Sequence, residues 1–264
     1  MGLQYTNEKE QFLNMQAIIL NSGKGSRLKE LTANTPKGLV KLDEETTLLS
    51  RQIDLLLSCG IDDIILTTGY LEDQFKAYLG KRYPKLSIRF VYNDLYETTN
   101  YIVSLDRLQA IGFDDSLVMM HGDLVFSLDV LMALIDQKSS SVVIDTTAPI
   151  PEKDFKARLG SDGLVREIGI NVFGKDCFAC QPLYKLRWED WRSWQQAIRL
   201  FCKAGTTKVY AENALNSLLE HLVLKAYDVK GGLCMEVDNQ EDLLKVKSLL
   251  AAPSGSNSSM GELS

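Results

Sequence analysis

Cysteine is scarce and poorly spaced for a metal site: Cys59, Cys177, Cys180, Cys202 and Cys234 are odd in number and scattered. The only close pair, Cys177 and Cys180, falls in an apolar stretch that reads as a strand, where residues three apart point to opposite faces. A structural zinc site would need a second ligand pair, and none is visible. Long apolar runs are missing as well. None approaches the roughly 18 residues that span a bilayer. The polar stretch 2–14 carries no signal-peptide pattern, so a cytoplasmic, reduced setting without membrane insertion is expected. Basic excess is also lacking: 29 Lys and Arg against 35 Asp and Glu give a net charge of −6. A nucleic-acid surface would need the opposite sign, whereas a small anion needs only a local cluster of cations.

What is present is the composition of an ordinary globular protein, 45% hydrophobic and 24% charged over 264 residues. Short β-branched runs at 15–20, 63–67, 87–92, 116–120 and 141–145 alternate with helical periods at 47–58, 72–82, 100–110 and 128–137. That rhythm implies an α/β fold, Rossmann-like, with a mixed, mainly parallel sheet and helices on both faces. Beyond Asp145 it changes. Segments 156–159 and 164–170 flank Gly160-Ser-Asp-Gly163 and read as a hairpin, followed by helices at 188–204 and 212–221 and a short closing strand and helix. One domain is expected over 15–250, with an antiparallel acceptor-binding portion in its second half and an extension at 1–14. Residues 251–264 are small and polar, as in a disordered tail or a linker to a further domain.

The most specific feature is Leu20-Asn21-Ser22-Gly23-Lys24-Gly25-Ser26-Arg27-Leu28, with Pro36-Lys37 beyond it. It follows the first strand directly, where an α/β sheet offers its carboxyl edge to ligands. Two glycines let backbone N–H groups approach a polyphosphate, and Lys24, Arg27 and Lys37 surround the same anion. Neither the Walker pattern nor the three-glycine dinucleotide pattern is matched. Farther on, Gly122 gives a sharp exit from a buried strand and sets Asp123 at that same edge, a position suited to holding a divalent cation. Asp238 opens Asp238-Asn-Gln-Glu241 ahead of a helical run, so a capping box is the competing reading there. His121 is expected to be a packed imidazole.

Together these segments resemble the nucleotidyltransferase superfamily that includes sugar-1-phosphate and choline-phosphate transferases, over roughly residues 15–250. The resemblance implies a triphosphate held by Leu20, Asn21, Ser22, Gly23, Gly25 and Ser26. It implies catalytic cations Lys24, Arg27 and Lys37, and Mg²⁺ on Asp123 and Asp238. Asn21-Ser22 departs from the small Ala/Gly pair more usual in the family. The interval from Asn93 through Thr99, Asn100 and Tyr101 to Ser104 is similar to the start of a helix in bacterial choline-phosphate and aminoalkylphosphonate cytidylyltransferases. It lacks the Gln-to-Ala segment of sugar-1-phosphate enzymes, so CTP is the expected nucleotide, although Thr99 and Asn100 are also ordinary capping residues.

Tyr210-Ala-Glu212-Asn213 resembles the aromatic-acidic-Asn segment of the same enzymes. Glu212 with Tyr210 or Tyr101 would hold an acceptor's ammonium, and Lys156 and Arg158 its phosphate. Trp188 and Trp191, followed by Ile198, suit the core face of a helix better than a binding cage. The expected reaction joins CTP to a small phosphorylated amino-alcohol or aminoalkylphosphonate with release of pyrophosphate. A sugar-1-phosphate transferase and a non-catalytic nucleotide-binding homologue are the alternatives. A homodimer, or a partner domain after residue 250, is compatible with the sequence.

Overall fold

The computed structural model describes residues 15–113 and 115–251. The expected extension at 1–14 and all but the first residue of the expected tail lie outside the described residues. Ala251 itself closes the last helix.

The strands are β1 (Gln16–Asn21), β2 (Asp63–Thr68), β3 (Ile88–Tyr92), β4 (Leu117–His121), β5 (Leu124–Phe126) and β6 (Ser141–Asp145). They continue with β7 (Lys156–Leu159), β8 (Val165–Gly169), β9 (Cys177–Leu186), β10 (Lys225–Asp228) and β11 (Cys234–Glu236). The helices are α1 (Leu48–Ser58), α2 (Glu72–Arg82), α3 (Ile102–Arg107), α4 (Leu128–Ile135), α5 (Trp188–Lys203), α6 (Ala211–Asn216) and α7 (Gln240–Ala251). The main sheet runs in the order β10-β6-β9-β4-β1-β2-β3. Every strand on that path is parallel except β9, which lies antiparallel between β4 and β6. The expected hairpin forms as β7 and β8, and it joins the sheet by pairing β7 with the start of β9.

Alternation along the strands builds two cores. Ile18, Ile65, Met119 and Tyr184 face α3, α5 and α6, where Trp191 and Trp194 are fully buried and Trp188 packs at the margin. The tryptophans are therefore core residues rather than a binding cage. Ala17, Ile19, Leu66, Val118 and Leu183 face α1, α2 and α4. A third, smaller core of Leu28, Val40, Leu42, Leu48, Val125, Val237, Leu243 and Val246 lies beneath the glycine loop and against α7.

Local signals explain most element boundaries. Thr47 caps α1 in a reciprocal pair with Ser50, and Gly60, at φ +78°, ends it. The helix expected over 100–110 begins at Ile102 and tightens into a 3₁₀ turn at Leu108–Ala110. The helix expected over 212–221 runs from Ala211 and stops at Asn216, whose carboxamide is bonded to the backbone of Ile168 at 2.8 Å in both directions. Among the described residues no helix is long and apolar enough to cross a membrane.

Candidate active site

β1 lies between β2 and β4, so Asn21, Thr68 and His121 end side by side on one edge. The glycine loop leaves β1 there. Gly25 adopts φ +63°, and a Cβ on it would stand 2.8 Å from Lys37 Cβ, so this residue needs both glycine's conformation and its lack of bulk. The Thr32 hydroxyl donates to the Gly25 carbonyl at 2.9 Å and folds the loop back over itself. Pro36 then sets a 3₁₀ turn that turns Lys37 inward.

Two acidic residues far apart in the sequence meet that lysine. Asp123 follows β4 in a tight turn. The three-residue ribbon of β5 and β11 pairs Leu124 with Glu236, and the Val237 N–H donates to the Asp123 carbonyl at 2.9 Å. Asp123 and Asp238 are thereby brought to one cation: Lys37 Nζ lies 2.6 Å from Asp123 Oδ2 and 2.7 Å from Asp238 Oδ1. Arg27 Nη1 reaches the other Asp238 oxygen at 2.6 Å. Burial works against a charge on Lys37, but Asp123 and Asp238 together outweigh it and raise its pKa. Burial likewise opposes ionisation of Asp123, yet Lys37 and His121 hold its pKa below the usual value.

Asp238 does not cap α7. Asn239 Oδ1 accepts from the N–H groups of Glu241 and Asp242, and the Asp242 carboxylate accepts from Asp238 and Asn239. The box expected at Asp238–Glu241 sits one residue later, which leaves the Asp238 carboxylate to the site.

Two clefts share Leu20, Gly23 and Asp123. One, of about 250 Å³, is lined by Asn21, Gly25, Ser26, Arg27, Lys37 and Gly122. The other, of about 330 Å³, is lined by Ser22, Asn93, Tyr96, Thr99, Asn100, Tyr101, Ser104 and His121. Its floor is a buried hydrogen-bond chain: Asn93 Nδ2 donates to Ser104 Oγ at 3.0 Å, Ser104 to Ser22 at 2.9 Å, and Ser22 to Thr67 at 3.1 Å.

Beside Asp238 the site turns acidic and aromatic. Carboxylate oxygens of Asp154, Glu236 and Asp238 lie within 4.8 Å of one another. Burial and the Asp238 charge raise the pKa of Asp154. Burial also raises that of Glu236, with His121 opposing it. His121 Nδ1 is 3.4 Å from Glu236, and its ring packs edge-on to Tyr101 at 4.7 Å. Phe155 and Tyr210 meet at 5.0 Å, and Tyr210 and Tyr101 at 6.0 Å.

A family model for the MobA-like NTP transferase domain matches residues 17–214. The chain belongs to this family. Among relatives of the transferase, a CTP:phosphoglutamine cytidylyltransferase of Campylobacter jejuni is 27% identical over 252 residues, covering 87% of this chain and 98% of that protein. A choline-phosphate cytidylyltransferase of Streptococcus pneumoniae is 45% identical over 91 residues, or 34% of this chain and 38% of that protein. A solved CTP:phosphocholine cytidylyltransferase from Streptococcus pneumoniae superposes with a TM-score of 0.72 at 25% identity, covering 90% of this chain and 99% of that one. The fold expected from the sequence is the fold of these enzymes, and the chain is a nucleotidyltransferase.

Five residues expected in the site of this transferase are placed elsewhere. Lys24 pairs with Glu97 at 2.6 Å on the rim, beside the rings of Tyr70 and Tyr96. Lys156 is fully buried; its ammonium donates to the carbonyls of Pro151 at 2.8 Å and Glu152 at 3.3 Å and faces the Phe173 ring at 4.4 Å. It secures the loop that carries Asp154 instead of offering a charge to a phosphate. Arg158 is taken up by Glu167 and Asp176. Glu212 is buried and accepts from both Tyr101 and Tyr184, so its charge orients Tyr101 and does not reach the cleft. Asn213 stands on the exposed side of α6.

Two acidic residues that gather beside Asp238, Asp154 and Glu236, were not among the expected ones. Glu236 had a readable signal: two residues before Asp238 at the end of a strand, it shares that residue's face. Asp154 had none, since its position depends on the buried lysine two residues on.

Proposed function

We propose that this transferase moves the cytidylyl group of CTP to a small phosphorylated or phosphonylated amino acceptor, with Mg²⁺ as its metal ion. One observation carries the reading. Lys37, in the lining of a cleft formed by the glycine loop, draws Asp123 and Asp238 together, and Asp238 in turn lies with the carboxylates of Asp154 and Glu236. The donor set suits a hard divalent cation, because Asp123 keeps a buried oxygen, Oδ1, that bonds to no described group. On Asp123 and Asp238 such an ion would neutralise triphosphate oxygens and increase the electrophilicity of the α-phosphorus.

The chain's own residues do the rest. The loop from Leu20 to Ser26 and the Arg27 guanidinium hold the phosphates, and Lys37 has the reach to shift from carboxylate to phosphate. An acceptor oxygen attacks the α-phosphorus in line; as that P–O bond forms, the bond to the bridging oxygen breaks and pyrophosphate leaves with its electron pair. The attacking oxygen is already ionised near neutral pH, so positioning and charge neutralisation suffice without a strong base. Asn93, Thr99, Asn100 and Ser104 border the space for the nucleoside. Asp154 and Glu236, with the ring faces of Phe155, Tyr210 and Tyr101, suit the acceptor's ammonium. The five free cysteines agree with a reduced, cytoplasmic setting.

The test is a pyrophosphate-release screen of four nucleoside triphosphates against phosphocholine, phosphoethanolamine, aminoalkylphosphonates, phosphoglutamine and sugar 1-phosphates with Mg²⁺. Turnover of CTP with an amino acceptor is expected. Activity confined to UTP, dTTP or GTP with a sugar 1-phosphate would reject the cytidylyl reading, and no turnover of any pair would favour a non-catalytic nucleotide-binding role.

A further inference from the structure

The last residue of β1 carries a side chain that the fold has made room for and then left unsatisfied. Asn21 is 7% exposed. Its backbone N–H donates to Thr67 Oγ1 at 3.3 Å, but its carboxamide bonds to no described residue, and Nδ2 is a buried donor without a partner. The carboxamide lies between two glycines. A Cβ on Gly38 would stand 2.3 Å from Asn21 Oδ1, and a Cβ on Gly122 would stand 2.2 Å from Nδ2. Neither glycine is at positive φ, so both are required by space and not by conformation. Gly38 follows Lys37 and Gly122 precedes Asp123. The cradle for Asn21 is thus built from the backbone beside the site's buried cation and its first carboxylate.

A buried carboxamide left unpaired is a poor filler, since an apolar side chain of similar volume would pack there without the desolvation penalty. The group is accounted for if a ligand completes it. The cleft it borders is lined by Gly23, Gly25, Arg27 and Lys37, an anion-binding set, and a carboxamide can present its NH₂ end by a half-turn. We propose that Asn21 donates a hydrogen bond to a triphosphate oxygen of the nucleotide, as a neutral side-chain donor beside Arg27 and Lys37. This assignment rests on the reading that the cleft holds a nucleoside triphosphate, and it is independent of the base.

The test measures dissociation constants of the full chain for CTP and for inorganic tripolyphosphate, each with Mg²⁺, alongside thermal unfolding. Asn21→Ala removes the donor and clashes with nothing. Both ligands should bind roughly ten- to hundredfold more weakly, the range for a donor lost from a charged acceptor, while Tm stays level or rises. Asn21→Asp keeps the shape and replaces the donor with a negative charge, so it should bind both ligands more weakly still.

Gly122→Ala should displace the carboxamide and weaken binding in the wild-type background, and cost nothing further in the Asn21→Ala background. Tripolyphosphate binding to Asn21→Ala within about twofold of wild type would overturn the proposal, leaving the side chain a spacer. Wild-type affinity in Asn21→Asp would also overturn it, by showing that an oxygen is what matters. If the wild-type protein prefers another nucleotide to CTP, the cytidylyl reading fails while the tripolyphosphate arm still decides this one. If it binds neither CTP nor tripolyphosphate, both fail.

Discussion

Lys37→Met removes a charge that two carboxylates share, and the consequence for stability can be worked out from the contacts. Asp123 is left with no cation at hydrogen-bond distance, and Asp238 retains only Arg27. Removing one partner of a fully buried pair costs about 3–5 kcal/mol. Here the side chains of Lys37, Asp123 and Asp238 keep 12%, 18% and 11% of their surface, so water reduces the loss, to about 3 kcal/mol. In a domain of this size that corresponds to a fall in Tm of about 6–12 °C.

The same substitution vacates the position between the two carboxylates. A divalent cation added without nucleotide should therefore bind the variant and stabilise it, by as much as about 2.7 kcal/mol at a concentration one hundredfold above Kd, which raises its Tm. The wild-type protein, whose lysine already fills that position, should respond far less. Scanning fluorimetry across a Mg²⁺ or Mn²⁺ titration, with both proteins free of nucleotide, measures both effects. A variant that melts within about 2 °C of wild type and ignores the metal would refute the idea that Lys37 holds the carboxylates together. Equal metal responses in the two proteins would refute the competition.

Three further outcomes are expected. Asp123→Ala should lower turnover by roughly a thousandfold or more, read as kcat at saturating substrates; a loss smaller than about tenfold would remove Asp123 from the chemistry. Asp154→Asn should raise KM for a cationic acceptor by roughly tenfold and leave KM for the nucleotide nearly unchanged; equal rises in both would separate Asp154 from the acceptor. Asp228 concerns stability alone. Burial opposes its ionisation, but the hydroxyl and N–H of Thr146 and the N–H of Lys230 hold its pKa below the usual carboxylate value of 3.8. Because the folded pKa is the lower one, its contribution is complete above 3.8 and is lost as pH falls through the folded value. Asp228→Asn should therefore destabilise by about 1 kcal/mol at neutral pH and become equal to wild type in strong acid, measured by denaturant unfolding at each pH. A difference that persists unchanged at low pH would remove ionisation as the cause.

The elements readable in the sequence were those whose signals are local. Gly25, Arg27 and Pro36-Lys37 identify the loop because a polyphosphate needs backbone approach and cations close together in the chain. The hairpin at Gly160–Gly163 was visible for the same reason: its turn residues are contiguous, and Gly163 takes φ +74°. What escaped notice depends on distant pairing. β5 and β11 are three residues each, too short to show a period, yet they set Asp123 beside Asp238. The insertion of β9 between β4 and β6 has no counterpart in its own composition. Charged residues were the hardest to place. Lys156 and Lys24 both look like solvated cations in a sequence, but one is buried against carbonyls and the other is held by Glu97. At Asp238 two readings competed, and the adjacent Asn239 took over the capping role.

The small core under the glycine loop ties the segment that follows β1 to the last described helix. Val237, Leu243 and Val246 come from the last described segment, yet they support Leu28 and Val40, which flank the cationic turn. A ribosome that has released only the first two hundred or so residues has supplied most of both larger cores but not the second carboxylate or the platform under the loop. The growing polypeptide can therefore become compact well before it becomes competent. A protease that clips off α7 should leave a folded remnant whose glycine turn has lost Leu243 and Val246 from beneath it.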